Sequence, residues 1–362
     1  TVYTSTCTAA DGATANVRVA AETYTDAAGN DNAVSNVFDW TYDGTAPTMV
    51  ITSNTVVSGA DTSTAAIVLI YTSSEATSNF IESDITETNC NTGTFTVTST
   101  TVYGSTCTAT TSLDVPTVLV AIGAFSDGVN NNAAASNTYT WTYDTTAPII
   151  ALSTSATDGY VSKDEYATNG FNVIGIVNAD ANGETVTVNY GGASSTCTAS
   201  ALTFSCAFSA GVLAAANSGS GISDGEIAVT ADVDDAAGNS ANQAVGTLTQ
   251  DTVDPTMVIT SNTVVSGADT ATAAVVLIYT ASQATSNFVI GDITVTNCNN
   301  AAFTAASTTV YGSTCTVAAD STPTVLVAAE AFTDAAANGN GAASNTYTWT
   351  QDDTGPTMTI TS

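Results

Sequence analysis

The chain has 362 residues, 44% of them hydrophobic and only 10% charged, and its 33 acidic residues face just two basic ones, Arg18 and Lys163, for a formal net charge of −31. So few cations exclude the counterion release on which nucleic-acid binding depends, and an anionic membrane repels such a chain. Histidine is absent and lysine occurs once, which removes the usual acid–base and nucleophilic groups, and no run of about 18 apolar residues is present to cross a membrane.

The first residues, Thr1-Val2-Tyr3, already read as strand, so the chain is expected to be a window of something longer. Thr1 to Cys7 returns almost unchanged as Thr101 to Cys107 and as Thr309 to Cys315. A linker follows, Asp43 to Ser53, containing Thr45-Ala46-Pro47-Thr48-Met49-Val50-Ile51. Its prolines recur as Pro148, Pro255 and Pro356, spaced 101, 107 and 101 residues apart, each with an Asp four residues earlier: Asp43, Asp144, Asp251 and Asp352. A period near 100 is too long for a solenoid and has the size of one immunoglobulin-type sandwich.

Within 44–144 seven short runs read as strands: 49–52, 65–71, 85–88, 94–98, 102–109, 117–122 and 138–143. In the last, Tyr139, Trp141 and Tyr143 alternate with Thr, the pattern of a half-buried antiparallel strand. The expected organisation is the C-terminal part of a domain in 1–43, a domain in 44–144, a divergent one without Trp in 145–251, a copy of the second in 252–352, and the first strand of a further domain in 353–362. The separation of 208 residues from Cys90 to Cys298 makes two domains the larger repeating unit.

Six cysteines follow the repeat. Cys90 and Cys107, like Cys298 and Cys315, stand 17 apart, and Cys197 and Cys206 form a closer pair. They read as three intradomain disulfides between neighbouring strands, which places the protein outside the cell or on its surface. Cys7 aligns with Cys107, so its partner is expected upstream of residue 1.

Asp144-Thr145-Thr146-Ala147-Pro148, Ser74-Glu75-Ala76, Ser83-Asp84-Ile85-Thr86 and Thr25-Asp26-Ala27-Ala28-Gly29-Asn30 together resemble the bacterial Ig-like (Big) domains of large extracellular adhesin and fibre proteins. Asp235-Ala236-Ala237-Gly238-Asn239 is similar to a related branch. The resemblance covers nearly the whole chain and implies an all-β fold: tandem immunoglobulin-like antiparallel β-sandwiches arranged as an elongated rod. Such domains are usually poor in cysteine, and this chain departs from them there.

In a sandwich, the loop before the last strand and the loop after the second strand lie beside the incoming linker. The first of these carries Asp127 and Asn131, Asp235 and Asn239, or Asp334 and Asn338; the second carries Glu75. With the linker residues, Asp43, Glu75, Asp127 and Asn131 form one candidate set. Asp144, Asp235 and Asn239 form another, and Asp251, Asp334 and Asn338 a third, with Gln283 in place of Glu75. Oxygen ligands from several loops suit Ca²⁺. The same residues equally suit plain side-chain-capped turns. The expected function is structural, a segment of an extracellular fibre, stalk or filament. Its expected partners are like domains of the same or neighbouring chains. The alternative is a cell-surface adhesin for a glycan, a surface or ice, although no exposed aromatic or flat Thr array repeated between domains is evident in the strand patterns.

Overall fold

The computed structural model describes residues 1–153, 158–318 and 320–361. The chain divides into two compact units, 1–146 with 236–239, and 147–235 with 240–362.

In the first unit, Met49–Ser53, Ala66–Ser73, Val102–Ala109 and Cys90–Thr92 pair in that order as an antiparallel sheet. A second sheet is ordered Tyr139–Thr140, Thr117–Val120, Ile85–Thr88. This division of strands is that of an immunoglobulin-type sandwich. The period-two pattern builds the core directly. Ile67, Leu69 and Tyr71 turn inward with 0% exposure, while Val68 between them is 47% exposed. Phe80 caps the core, its ring packed on Tyr71, Tyr103, Phe95 and Phe125 at centroid distances of 5.0 to 5.8 Å. Trp141 interrupts the last strand. Before it the chain pairs with Thr117 and Val118; after it, Thr142–Tyr143 runs parallel to the short strand Asp61–Thr62. Asp61–Thr62 is too short to have been expected from the sequence. In residues 1–43 Thr14–Val17 pairs with Phe38–Thr41 and Thr25 bridges to Asp31, and Phe38 is left 65% exposed.

In the second unit, residues 257–351 repeat that sandwich, with Trp349 in the place of Trp141. Residues 150–251 form a variant of it. One sheet is Ile150–Leu152, Phe171–Val177, Thr203–Phe208; the other has five strands, Tyr160–Ser162, Ala244–Asp251, Gly225–Val233, Thr185–Tyr190, Ala193–Thr198. Phe171, Tyr190 and Phe208 pack ring on ring in its core, and the short helix Ala210–Ala214 inserts Leu213 there. Gly175 is required here, because a Cβ would stand 2.3 Å from the Phe204 ring and 2.4 Å from the Ala151 carbonyl oxygen.

Disulfides join Cys90 to Cys107, Cys197 to Cys206 and Cys298 to Cys315. The first links strands paired in one sheet. Cys197–Cys206 joins two consecutive strands, the edge strand of the five-stranded sheet and a strand of the other sheet, and so ties the two layers together. Cys7 is free and exposed. Residues 358–360 carry strand sequence but form no ladder among the described residues, and Met358 and Ile360 remain 89% and 90% exposed. A strand is stable only with a partner to take its N–H and C=O groups, and no strand pairs with 358–360 among the described residues.

Candidate metal centre

Each linker is first of all a capped turn. The carboxylates of Asp43, Asp144, Asp251 and Asp352 accept the backbone N–H two residues ahead, at 3.2, 2.8, 3.1 and 2.9 Å. Proline follows shortly and fixes the exit direction. The loop before the last strand is also a capped turn. Asp334 Oδ1 accepts from Ala336 N and Asn338 N, both at 2.9 Å, and Asp26 does the same with Ala28 and Asn30.

Turn and linker then meet through an asparagine. Asn338 Nδ2 donates to the carbonyl of Asp251 at 2.9 Å, and Asn239 Nδ2 to that of Asp144 at 3.0 Å. In the second domain the residue is Asn130, not Asn131: its amide donates to the carbonyls of Asp43 and Thr45, both at 3.1 Å. Asn131 instead bridges back to Ser126. This turn is one residue shorter than its relatives, and the spacing from Asp127 therefore misassigned the asparagine. A second brace reaches each linker from a loop of the preceding sandwich and had no signal in any single domain. Asp11 takes Gly44 N at 2.6 Å and the Thr45 hydroxyl; Ser112 takes Thr145 N at 3.0 Å; Asp224 takes the Thr252 hydroxyl at 2.9 Å; Asp320 takes that of Thr354 at 2.7 Å.

At one junction these turns bring carboxylates together. Asp43 from the linker, Glu75 from the loop after Ala66–Ser73, and Asp127 from the turn each offer an oxygen within 4.8 Å of the other two, all half-buried. Asp127 Oδ1 is held by Val129 N at 2.6 Å and Asn130 N at 2.8 Å, and these bonds keep the group below the usual carboxylate range. Its Oδ2 is buried with no partner. Glu75 is pushed the other way, by desolvation first and then by the charges of Asp43, Asp127 and Asp11. Three oxygens from three segments, one without a hydrogen-bond donor, fit a hard cation such as Ca²⁺, which takes oxygen ligands at about 2.3–2.6 Å.

The other two sets hold fewer acids. Burial raises the Asp251 carboxyl above its ordinary range, and the charges of Asp334 and Asp224 add to the effect. Gln283, in the place of Glu75, donates to the Val253 carbonyl at 3.0 Å. Asp144 keeps the Asn239 bond and a contact from the Ser112 hydroxyl at 3.4 Å, and Asp235 is buried. Among the described residues, the only other three-group cluster is Glu87 with Cys90 and Cys107, whose sulfurs are spent on a disulfide.

A second surface feature repeats. On the outer side of the sheet built on Ala66–Ser73 and Val102–Ala109, Val68 stands opposite Thr106 and Ile70 opposite Gly104; Val276 with Thr314 and Ile278 with Gly312 copy it. Val50, Val68, Val258 and Val276 are 46% to 52% exposed, and the three long strands of each copy carry no charge. The aromatics of these strands face inward, with Tyr71, Tyr103, Tyr279 and Tyr311 buried, and the exposed positions between them are aliphatic and Thr.

No family model matches the chain, and no curated protein matches it. Solved structures do. A Ca²⁺-stabilized adhesin that helps an Antarctic bacterium reach out and bind ice shares 19% identity over 90% of this chain and 79% of its own, with a TM-score of 0.41. FdeC, an Escherichia coli adhesin, shares 15% identity over 83% of this chain and 96% of its own, with a TM-score of 0.39. Invasin, a bacterial integrin-binding protein, shares 14% identity over 77% of this chain and 56% of its own, with a TM-score of 0.32. The first two are adhesins and the third an integrin-binding protein, all of them bacterial.

Proposed function

We propose that the chain is an extracellular structural segment, a stretch of fibre or stalk built from disulfide-stapled sandwiches, with no enzymatic role, and that Ca²⁺ is held at Asp43, Glu75 and Asp127. The observation that carries this reading is the convergence of those three carboxylates on a linker already braced by Asn130 and Asp11. Carboxylates that repel one another at a junction loosen it; a divalent ion among them joins linker, loop and turn into one rigid piece. The domain limits 44–144, 145–251 and 252–352 follow the linkers. Three disulfides suit an oxidising exterior. Thermal melts of the full chain with Ca²⁺ and with chelator test the reading. A midpoint that does not move removes the ion from it.

A second reading, adhesion to an uncharged partner such as a glycan or another flat surface, is favoured by the repeated Val/Thr sheet face. Val68→Lys with Val276→Lys places a charge in each copy of that face. Binding to cells or glycan arrays that survives both substitutions argues against this face as the adhesive surface.

A further inference from the structure

The linker at 251–256 is built differently from the one at 43–48, although the two occupy equivalent places in the 208-residue repeat. Gln283 replaces Glu75, so one carboxylate is lost, and a cation arrives from the preceding sandwich. Lys163, one of two basic residues in the chain, follows the strand Tyr160–Ser162. Its ammonium donates to Asp254 Oδ2 at 2.6 Å, and its backbone N–H donates to Asn338 Oδ1 at 2.8 Å. Asn338 is 5% exposed and completes the connection with bonds to the Asp251 carbonyl at 2.9 Å and to Asp334 Oδ2 at 3.1 Å.

The surrounding cleft, about 630 Å³, is also lined by Asp164 and Glu330. The hydrogen bond to Asp254 raises the Lys163 ammonium above its usual range, and the charges of Asp254, Asp164 and Glu330 add to the effect. Two glycines admit this arrangement. A Cβ on Gly341 would stand 2.6 Å from Asp254 Oδ2, and one on Gly339 would stand 2.2 Å from Glu330 Oε2. In the sandwich of 44–144, counting from Asn132 as the match of Asn340, these positions are Ala133 and Asn131. At 251–256, then, Gln283, Lys163 and the two glycines are found together.

We propose that the protein contains two kinds of junction: a Ca²⁺-dependent one at Asp43/Glu75/Asp127, and one at 251–256 in which Lys163 is a tethered cation that makes the junction independent of Ca²⁺. The first half rests on the calcium reading above; the second does not. A change in free calcium then stiffens or loosens the chain at chosen linkers and leaves others locked.

Hydrogen exchange on the full chain, in Ca²⁺ and in chelator, tests it. The turn 127–130 is expected to slow in Ca²⁺, while the amide of residue 163 and the linker 251–256 exchange equally in both. Lys163→Met should speed exchange at residue 163 and across 251–256 by about two- to five-fold in either buffer, the range for a partly exposed ion pair. Lys163→Met combined with Gln283→Glu should make that linker respond to Ca²⁺. The proposal is overturned if the wild-type linker 251–256 responds to Ca²⁺ as turn 127–130 does, or if Lys163→Met leaves its exchange unchanged. It is also overturned if the double variant gains no response in a chain whose 127–130 turn has one. A turn 127–130 that ignores calcium defeats the calcium reading instead and leaves the Lys163 result readable.

Discussion

Asn132 is the residue whose replacement should be felt most widely in the second domain. It is 1% exposed. Its Oδ1 accepts the N–H of Phe125 at 3.1 Å, and its Nδ2 donates to the carbonyls of Ala121 and Ala134 at 2.8 and 2.9 Å. Those three bonds hold the turn that carries Asp127 and Asn130. Phe125 is 1% exposed, so its N–H finds no water when Asn132→Ala removes the acceptor, at about 1–3 kcal/mol; the two carbonyls belong to exposed residues and recover solvent, at about 0.5–1.5 kcal/mol each. The expected loss is about 2–6 kcal/mol, a large share of the usual ~5–15 kcal/mol for a domain. Amides of the core strand Ala66–Ser73 exchange only when the whole sandwich opens, so they should exchange at least about 30-fold faster. Asn132→Asp keeps the acceptor but turns an oxygen toward two carbonyls, so it should be worse at pH 7 than at pH 4. Core amides that exchange within three-fold of wild type would refute the reasoning. Asn340, with four such bonds, should behave alike.

Three further outcomes follow. Cys90→Ser with Cys107→Ser opens a loop spanning 17 residues, which on the chain-entropy model costs about 3 kcal/mol; calorimetry should show one transition falling and the others unchanged. In chelator, Glu75 is raised in the folded state and so binds its proton more tightly there. Its charge therefore opposes folding above the ordinary value of 4.5, and this opposition disappears below it. Glu75→Gln should accordingly raise the thermal midpoint at pH 7 and leave it unchanged at pH 4, whereas in Ca²⁺ at pH 7 it should lower it. Trypsin has only Arg18 and Lys163 as targets, and Lys163 is engaged by Asp254. Asp254→Asn should speed cleavage after Lys163 several-fold relative to cleavage after Arg18, as read by intact-mass spectrometry.

The sandwich was largely legible because period-two alternation and the linker repeat are both strong, local and repeated. The run at 102–109 matches the strand Val102–Ala109 residue for residue, and the inward aromatics Tyr139 and Trp141 are where alternation puts them. Asp61–Thr62 was invisible, since two residues carry no period. The helix Ala210–Ala214 was missed for a related reason: five residues are too few for helical periodicity, and only the Ser209 cap, whose side chain accepts Val212 N, marks it. At the junction, the carboxylates Asp43, Glu75 and Asp127 were traceable because sandwich topology alone places their loops at one end. Asn130 was mistaken for Asn131 because a one-residue deletion in a turn shifts the spacing without changing composition. Asp11 and Asp320 act across a linker, so only alignment of one domain with the next, counting back 32 residues from Asp43 and from Asp352, could have found them.

Calorimetric titration of the full chain with Ca²⁺, beside the variant Asp43→Asn, Glu75→Gln, Asp127→Asn, tests the central claim most directly. The account predicts a saturable site in the wild-type chain that the triple variant lacks, with the remaining domains still folded by near-ultraviolet dichroism. Identical titration curves for the two proteins would contradict it.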